Sequence, residues 1–106
     1  MSTRLQNILA ELRRRFETLY GPRLIQMVLY GSQARGDAEP GSDIDVLVVL
    51  TGDVDPCREI DRTLEDVVAL SLENDVVISC VFMGEHRFRH RNGPLLRNIR
   101  REGVPI

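Results

Sequence analysis

The segment Ile44–Leu50, with the sequence IDVLVVL, constrains the fold most strongly. It is almost entirely apolar and rich in β-branched residues, a composition typical of a strand that is buried on both faces. Such a strand lies in the interior of a sheet, and the sheet must itself be covered by other elements. The segment therefore predicts a domain built around a central β-strand.

Three further segments have strand character. Leu24–Tyr30 is a short apolar run that ends at Gly31, and Val76–Phe82 is a third run of the same kind. Val104–Ile106 is short and fits an edge strand. The pattern predicts a sheet of three strands with a possible fourth at its edge.

Helical periodicity appears at the beginning of the chain. Thr3 and Gln6 fit a capping box, and the glycine and proline at positions 21 and 22 end the helix. The apolar residues between them follow at helical spacing: Leu5, Ile8, Leu9, Leu12, Phe16 and Leu19. A first helix is predicted over this range.

Two more helices follow from capping signals. Asp55 is a good N-cap and Pro56 suits the first helical position. One face of this helix carries Ile60, Leu64, Val67, Val68, Ser71 and Leu72. A last short helix is predicted from the segment 92–94 to Gly103. The expected fold class is α/β (α+β), a mixed β-sheet covered by helices, in one domain spanning residues 1–106.

Charge is distributed unevenly along the chain. Residues 1–36 carry a net charge of +4, residues 37–75 carry −10 and residues 76–106 carry +4, which gives −2 overall. The acidic middle suggests a cation site, and the basic ends could meet an anionic partner. The chain contains no lysine, so chemistry that needs a lysine nucleophile or a P-loop lysine is excluded.

The two cysteines do not predict a metal site. Cys57 and Cys80 are isolated, no C-x-x-C is present, and Cys80 lies in an apolar run where a buried thiol is expected. The sequence shows neither a signal peptide nor a membrane-spanning segment, and a cytoplasmic protein without membrane contact is expected.

Two carboxylates stand at the start of the central strand. Asp43 and Asp45 are two residues apart, so their side chains project from the same side of the strand. Two ionised carboxylates at this spacing repel each other, and a divalent cation is their natural compensation. A site with only oxygen ligands suits Mg²⁺ or Mn²⁺.

Gly31 and Ser32 form a turn between the predicted strand Leu24–Tyr30 and a helical turn through Arg35. Free backbone N–H groups at such a helix start, together with the serine hydroxyl, can bind phosphate, and glycine allows the phosphate to approach. Phosphate binding next to paired aspartates is typical of phosphoryl or nucleotidyl transfer.

The sequences GSQARG at 31–36 and SDID at 42–45 resemble the signature of the DNA polymerase β-like nucleotidyltransferase superfamily. The resemblance is greatest to the minimal, single-domain (MNT) branch of bacteria and archaea, and it is close over residues 24–50. It implies that Gly31 and Ser32 bind the triphosphate, that Arg35 completes the nucleotide-binding motif by bracing the loop, and that Asp43 and Asp45 hold two divalent metal ions.

The family also uses a third carboxylate on an adjacent strand to activate the attacking hydroxyl. Asp75, at the start of the third predicted strand, is the candidate for this catalytic and metal-binding role. Glu73 is an alternative, and the strand could also lack a third acid. In the last case the domain could bind nucleotide and metal and yet be catalytically weak.

The resemblance implies transfer of a nucleotidyl group from a nucleoside triphosphate, ATP in the first instance, to a hydroxyl, with Mg²⁺ as the cofactor. It also implies a small helical partner of the HEPN type, with this chain as the antitoxin. The alternative is a non-catalytic module that binds a nucleotide or a partner.

The segment GEHRFRHRNG allows other interpretations. His86 and His90 have the i,i+4 spacing of a metal-binding pair on a helix, although exposed histidines in a basic segment are favoured. Its arginines and Phe88 could contact nucleic acid, which is possible but not favoured.

Overall fold

The computed structural model describes all residues from Met1 to Ile106. A single 3-10 turn at Gly21–Arg23 links the first helix to the first strand. The other elements are, in chain order, α1 (Thr3–Tyr20), β1 (Leu24–Tyr30), α2 (Ser32–Arg35), β2 (Ile44–Leu50), α3 (Pro56–Asn74), β3 (Ile78–Gly84), α4 (Glu85–His90), α5 (Pro94–Glu102) and β4 (Val104–Pro105).

The four strands form one mixed sheet in the order β3-β2-β1-β4. Strand β2 pairs antiparallel with β1 and parallel with β3, and every residue of β2 except Asp45 is buried. The short strand β4 extends the other side of β1 in antiparallel orientation. The predicted mixed sheet, with β2 inside it and helices covering it, is confirmed.

Apolar side chains form a core on each face of the sheet. Because side chains alternate along a strand, Val46 and Val48 of β2 pack on one face with α1 and α3, whereas Leu47 and Val49 pack on the other face. Leu96 and Ile99 of α5 cover this second face. Asp43 and Asp45 occupy alternate positions in line with Leu47 and Val49, so they belong to the second face.

The N-cap of α1 lies one residue earlier than predicted. Ser2 is the N-cap, and its hydroxyl accepts a hydrogen bond from the backbone N–H of Leu5 at 3.1 Å. Thr3 is the first helical residue, so the predicted capping box at Thr3 is wrong. Leu19 is 40% exposed and Tyr20 takes its place in the core.

The predicted apolar face of α3 meets the core only in part, through Val67. Ile60, Leu64, Val68 and Leu72 are exposed, whereas Glu59 and Thr63 are buried. The Tyr20 hydroxyl donates to Glu59 Oε1 at 2.8 Å, and Arg62 Nε lies 3.0 Å from the same oxygen. These partners compensate for burying a carboxylate, which helical spacing alone does not reveal.

Strand β3 begins two residues after its predicted start at Val76. The backbone N–H groups of Asp75 and Val76 both donate to the carbonyl of Ser71, so these two residues complete the end of α3. None of the helices combines the length and the apolar composition needed to cross a bilayer.

Candidate active site

The two aspartates lie where β2 begins. Asp43 is exposed and directly precedes the strand, while Asp45 is its second residue and is partly buried. Asp45 pairs across the antiparallel ladder with Tyr30, the last residue of β1. The end of β1 and the start of β2 therefore meet at the carboxylates.

Gly31 lies against the carboxylate of Asp45. A Cβ atom at position 31 would lie 2.5 Å from Asp45 Oδ2, and the backbone has a φ of +76° there. Only glycine meets both conditions without strain. The turn that was predicted to bind phosphate and the predicted metal ligand thus touch each other.

Helix α2 is the short helical turn predicted after Gly31. Gly31 caps its start, Ser32 is its first residue, and Gly36 ends it in the left-handed conformation. The Gln33 side-chain amide donates to the carbonyl of Ser42 at 3.3 Å, which ties α2 to the residue preceding Asp43. The two halves of the sequence motif form one local structure.

The carboxylate pair has little positive charge around it. Burial raises the pKa of Asp45, the negative charge of Asp43 raises it further, and Arg35 acts in the opposite direction. Two carboxylates that are poorly compensated by the protein are a suitable oxygen donor set for a divalent cation.

Arg35 is braced by two acidic side chains. Its Nε lies 3.1 Å from Asp37 Oδ2, and its Nη1 lies 3.2 Å from Glu102 Oε1. These partners raise the pKa of Arg35 and keep it charged. Glu102 is the last residue of α5, so the brace connects the end of the chain with the candidate phosphate-binding turn.

Asp75 is not brought together with Asp43 and Asp45. It caps α3 in the left-handed conformation with a φ of +52°, and its side chain is exposed. It lines a neighbouring cleft of about 560 Å³ that neither Asp43 nor Asp45 lines. No three His, Cys, Asp or Glu side chains form a group that could hold a metal ion. Asp75 thus lines a different cleft from the aspartate pair, and its role as a third metal ligand stays a prediction.

Glu73 does not replace Asp75. Its carboxylate lies 3.8 Å from Arg15 Nη2 on the outside of α1.

His86 and His90 lie on α4 with ring centroids 4.5 Å apart, and both are exposed. The two histidines are therefore exposed, as the sequence analysis favoured.

The thiol of Cys80 lies in an apolar environment, and burial raises its pKa to about 12.

The sequence did not indicate two residues near the site. Tyr30 is half-buried on the same face as Asp45, and burial followed by the charge of Asp45 raises its pKa. Its position at the end of a predicted strand could have indicated it. Glu102 could not be found in this way, because 67 residues separate it from Arg35.

Comparison with known proteins identifies the family. The family described as nucleotidyltransferase domain matches residues 9–104. The chain belongs to this nucleotidyltransferase family. The predictions of the family and of the enzyme class are thereby confirmed.

This nucleotidyltransferase is also similar to a curated archaeal protein. It is 38% identical over 85 residues to "Putative protein adenylyltransferase MJ0604" of Methanocaldococcus jannaschii, and the match covers 79% of each chain.

Solved structures share the fold of the nucleotidyltransferase. A toxin–antitoxin complex with AMP-PNP gives a TM-score of 0.64 at 22% identity, covering 93% of this chain and 69% of that chain. The Shewanella oneidensis complex of a tri-AMPylated HEPN toxin with an MNT antitoxin gives a TM-score of 0.56 at 20% identity, covering 96% of this chain and 67% of that one. At these identities the likeness shows the fold.

Proposed function

We propose that this nucleotidyltransferase transfers the adenylyl group of ATP to a hydroxyl group and releases pyrophosphate. The observation that carries the proposal is the contact between Gly31 and the carboxylate of Asp45. It joins a turn suited to phosphate and a pair of carboxylates in one small site. The name of the archaeal relative, a protein adenylyltransferase, supports ATP as the donor and a protein as the acceptor.

Each residue of the site has a role in this proposal. The backbone N–H groups at the start of α2 and the hydroxyl of Ser32 bind the triphosphate, since the first N–H groups of a helix have no intrahelical partner. Arg35, held by Asp37 and Glu102, adds positive charge beside the phosphates.

Asp43 and Asp45 are the residues that would hold divalent metal ions. The chemistry of the donor set fits Mg²⁺, with Mn²⁺ as a substitute, because the site offers carboxylate oxygens with little compensating charge. When bound there, Mg²⁺ would act as a Lewis acid and offset the negative charge that develops during transfer.

The paired substitution of Asp43 and Asp45 by Asn tests this proposal. Removing a like-charge pair should leave the ligand-free protein as stable as the parent or more stable. Binding of Mg·ATP, measured by titration calorimetry, and release of pyrophosphate should both be lost. An unchanged affinity for ATP in the variant, with and without Mg²⁺, would contradict the assignment of these two residues.

The second candidate function is binding of a partner protein. Four of the eight large apolar side chains that are exposed lie on α3 at i,i+4 spacing: Ile60, Leu64, Val68 and Leu72. We refer to these four residues as the α3 surface. A contiguous exposed apolar surface is typical of a protein–protein contact.

We propose that the α3 surface binds a helical partner of the HEPN type, as an antitoxin would. The toxin–antitoxin complexes among the solved structures with the same fold support this choice of partner. Partner binding and adenylyl transfer are compatible, because the partner would then carry the acceptor hydroxyl.

A further inference from the structure

Ser79 lies beside Asp45 on the neighbouring strand. The parallel register of β2 and β3 pairs Asp45 with Ser79. Ile78 and Phe82 point into the first core, whereas Val81 and Met83 belong to the second. Because side chains alternate along a strand, the Ser79 side chain has the parity of Asp45, and the residue is exposed.

No acid accompanies Ser79 on this face of β3. The neighbouring positions of the same parity are Val77 and Val81, so Ser79 is the one polar side chain that this part of β3 presents. Asp75, two residues before Val77, ends α3 and lines a different cleft. The strand next to the carboxylate pair therefore offers a hydroxyl and no base.

The order of the strands determines the side from which an acceptor approaches. Strand β1 and the adjoining α2 lie on one side of Asp45, and β3 lies on the other. In the proposed function the triphosphate is bound at Gly31 and Ser32, so the leaving pyrophosphate would lie on the α2 side. An in-line displacement requires the attacking oxygen to enter opposite the leaving group. The opposite side is the exposed edge of β3 beside Ser79.

We infer that Ser79 is the positioning residue for the acceptor hydroxyl and that no carboxylate of this chain acts as the general base. The inference rests on the proposed adenylyl transfer. The Ser79 hydroxyl accepts a hydrogen bond from the acceptor and orients its oxygen. That oxygen bonds to the α-phosphorus, the bond to the bridging oxygen breaks, and pyrophosphate leaves with the electron pair. The acceptor proton passes to water at the open strand edge.

A carboxylate introduced at position 79 should therefore complete the site. In the Ser79→Asp variant, AMP formation from Mg·ATP with water as the acceptor should rise by about 10²-fold, the lower end of general-base contributions. Its affinity for Mg²⁺ alone, measured by calorimetry, should rise by about tenfold because the site gains a charged ligand. Ser79→Ala should lower AMP formation by about two- to tenfold, the effect of one neutral hydrogen bond.

Two control variants make the outcome specific. Ser79→Asn has the size of the aspartate without its charge and should show neither gain. Asp75→Asn should keep the AMP formation of the parent. If the parent forms AMP too slowly to detect, the test rests on the difference in Mg²⁺ affinity between Ser79→Asp and Ser79→Asn.

Two results would overturn the inference. Ser79→Asp could behave like Ser79→Asn in both measurements, or Asp75→Asn could lose about 10²-fold in turnover with unchanged ATP affinity. Neither result would affect the proposed function, which instead fails if the unsubstituted protein does not bind Mg·ATP.

Discussion

At the scale of single residues, backbone conformation decides what the side chains near the site can do. Gly31 combines a positive φ with direct contact to the Asp45 carboxylate, so the turn and the acid are fitted to each other. Asp75 also has a positive φ, but it uses this conformation to end α3. Aspartate is one of the few residues that adopt the left-handed region readily. An acid expected to open a strand can therefore serve instead to end the preceding helix.

The Gly31→Ala substitution tests the contact with Asp45. The added Cβ would displace the Asp45 carboxylate, and the positive φ should cost about 1–3 kcal/mol of unfolding free energy. Affinity for Mg·ATP should fall by about tenfold or more, because the carboxylate and the turn are displaced together. Calorimetry measures the affinity and urea denaturation measures the stability.

Gly52→Ala is the matched control for this substitution. Gly52 has a φ of +75°, nearly that of Gly31, and a Cβ there would meet no atom within 4 Å. The Gly52→Ala variant should lose about as much unfolding free energy as Gly31→Ala, and its affinity for Mg·ATP should equal that of the parent. Equal affinities in the two variants would show that the contact with Asp45 is irrelevant to binding.

At the scale of elements, a buried polar pair connects α1 and α3. Tyr20 is 6% exposed and Glu59 is 3% exposed, and the Tyr20 hydroxyl donates to the Glu59 carboxylate. Burial and the hydrogen bond to Glu59 both raise the pKa of Tyr20, so it remains a donor at neutral pH. The pair is a buried polar contact between α1 and the inner side of α3.

A double-mutant cycle with Tyr20→Phe and Glu59→Leu measures this connection. Tyr20→Phe leaves Glu59 with Arg62 as its remaining partner, and Glu59→Leu leaves the buried Tyr20 hydroxyl without its acceptor. Each substitution should therefore cost about 1–3 kcal/mol of unfolding free energy. The double variant should lose less than the sum, with a coupling of about 0.5–3 kcal/mol by urea denaturation.

The exposed pair Arg13–Glu17 serves as the control cycle. Arg13 Nε and Glu17 Oε1 lie 2.6 Å apart, and the two side chains are 39% and 55% exposed. A coupling of at most about 0.5 kcal/mol is expected there. Strict additivity in the Tyr20–Glu59 cycle would contradict the role of the buried pair.

At the scale of the whole molecule, the α3 surface lies beside one edge of the sheet. Its residues Ile60 and Leu64 line one groove together with Ser79 of β3, the edge strand. A partner bound to the α3 surface would therefore lie next to the edge from which the acceptor is proposed to approach.

A charge placed on the α3 surface tests its role. The Leu64→Glu and Leu72→Glu substitutions change residues that are 52% and 78% exposed, so the unfolding temperature should remain near that of the parent. Co-purification with a co-expressed HEPN-type protein should be lost, because a charge would be buried in the contact. Size-exclusion chromatography with light scattering measures the complex.

Leu19→Glu is the control for these variants. Leu19 is 40% exposed and lies on α1, outside the α3 surface. Its complex should form as in the parent. If all three variants bind the partner equally well, the partner does not use the α3 surface.

Local features of the sequence were sufficient to predict most elements. The bounds of β1 and β2 follow directly from two apolar, β-branched runs, and Asp55 caps α3 as its sequence indicates. The pairing of Gly31 and Ser32 with Asp43 and Asp45 was predictable for the same reason. These residues surround a short turn and two strand ends, so nearby sequence determines their arrangement.

Tertiary structure alone decided the features that depend on distant partners. Helical spacing identified an apolar side of α3, but the buried side carries Glu59, whose hydrogen bond comes from Tyr20 of α1. The link from Glu102 to Arg35 likewise spans most of the chain. The residue beside Asp45 is Ser79 because of the register between β2 and β3. Asp75 was expected to open the third strand, but it adopts the left-handed conformation that ends α3, and the strand begins at Ile78.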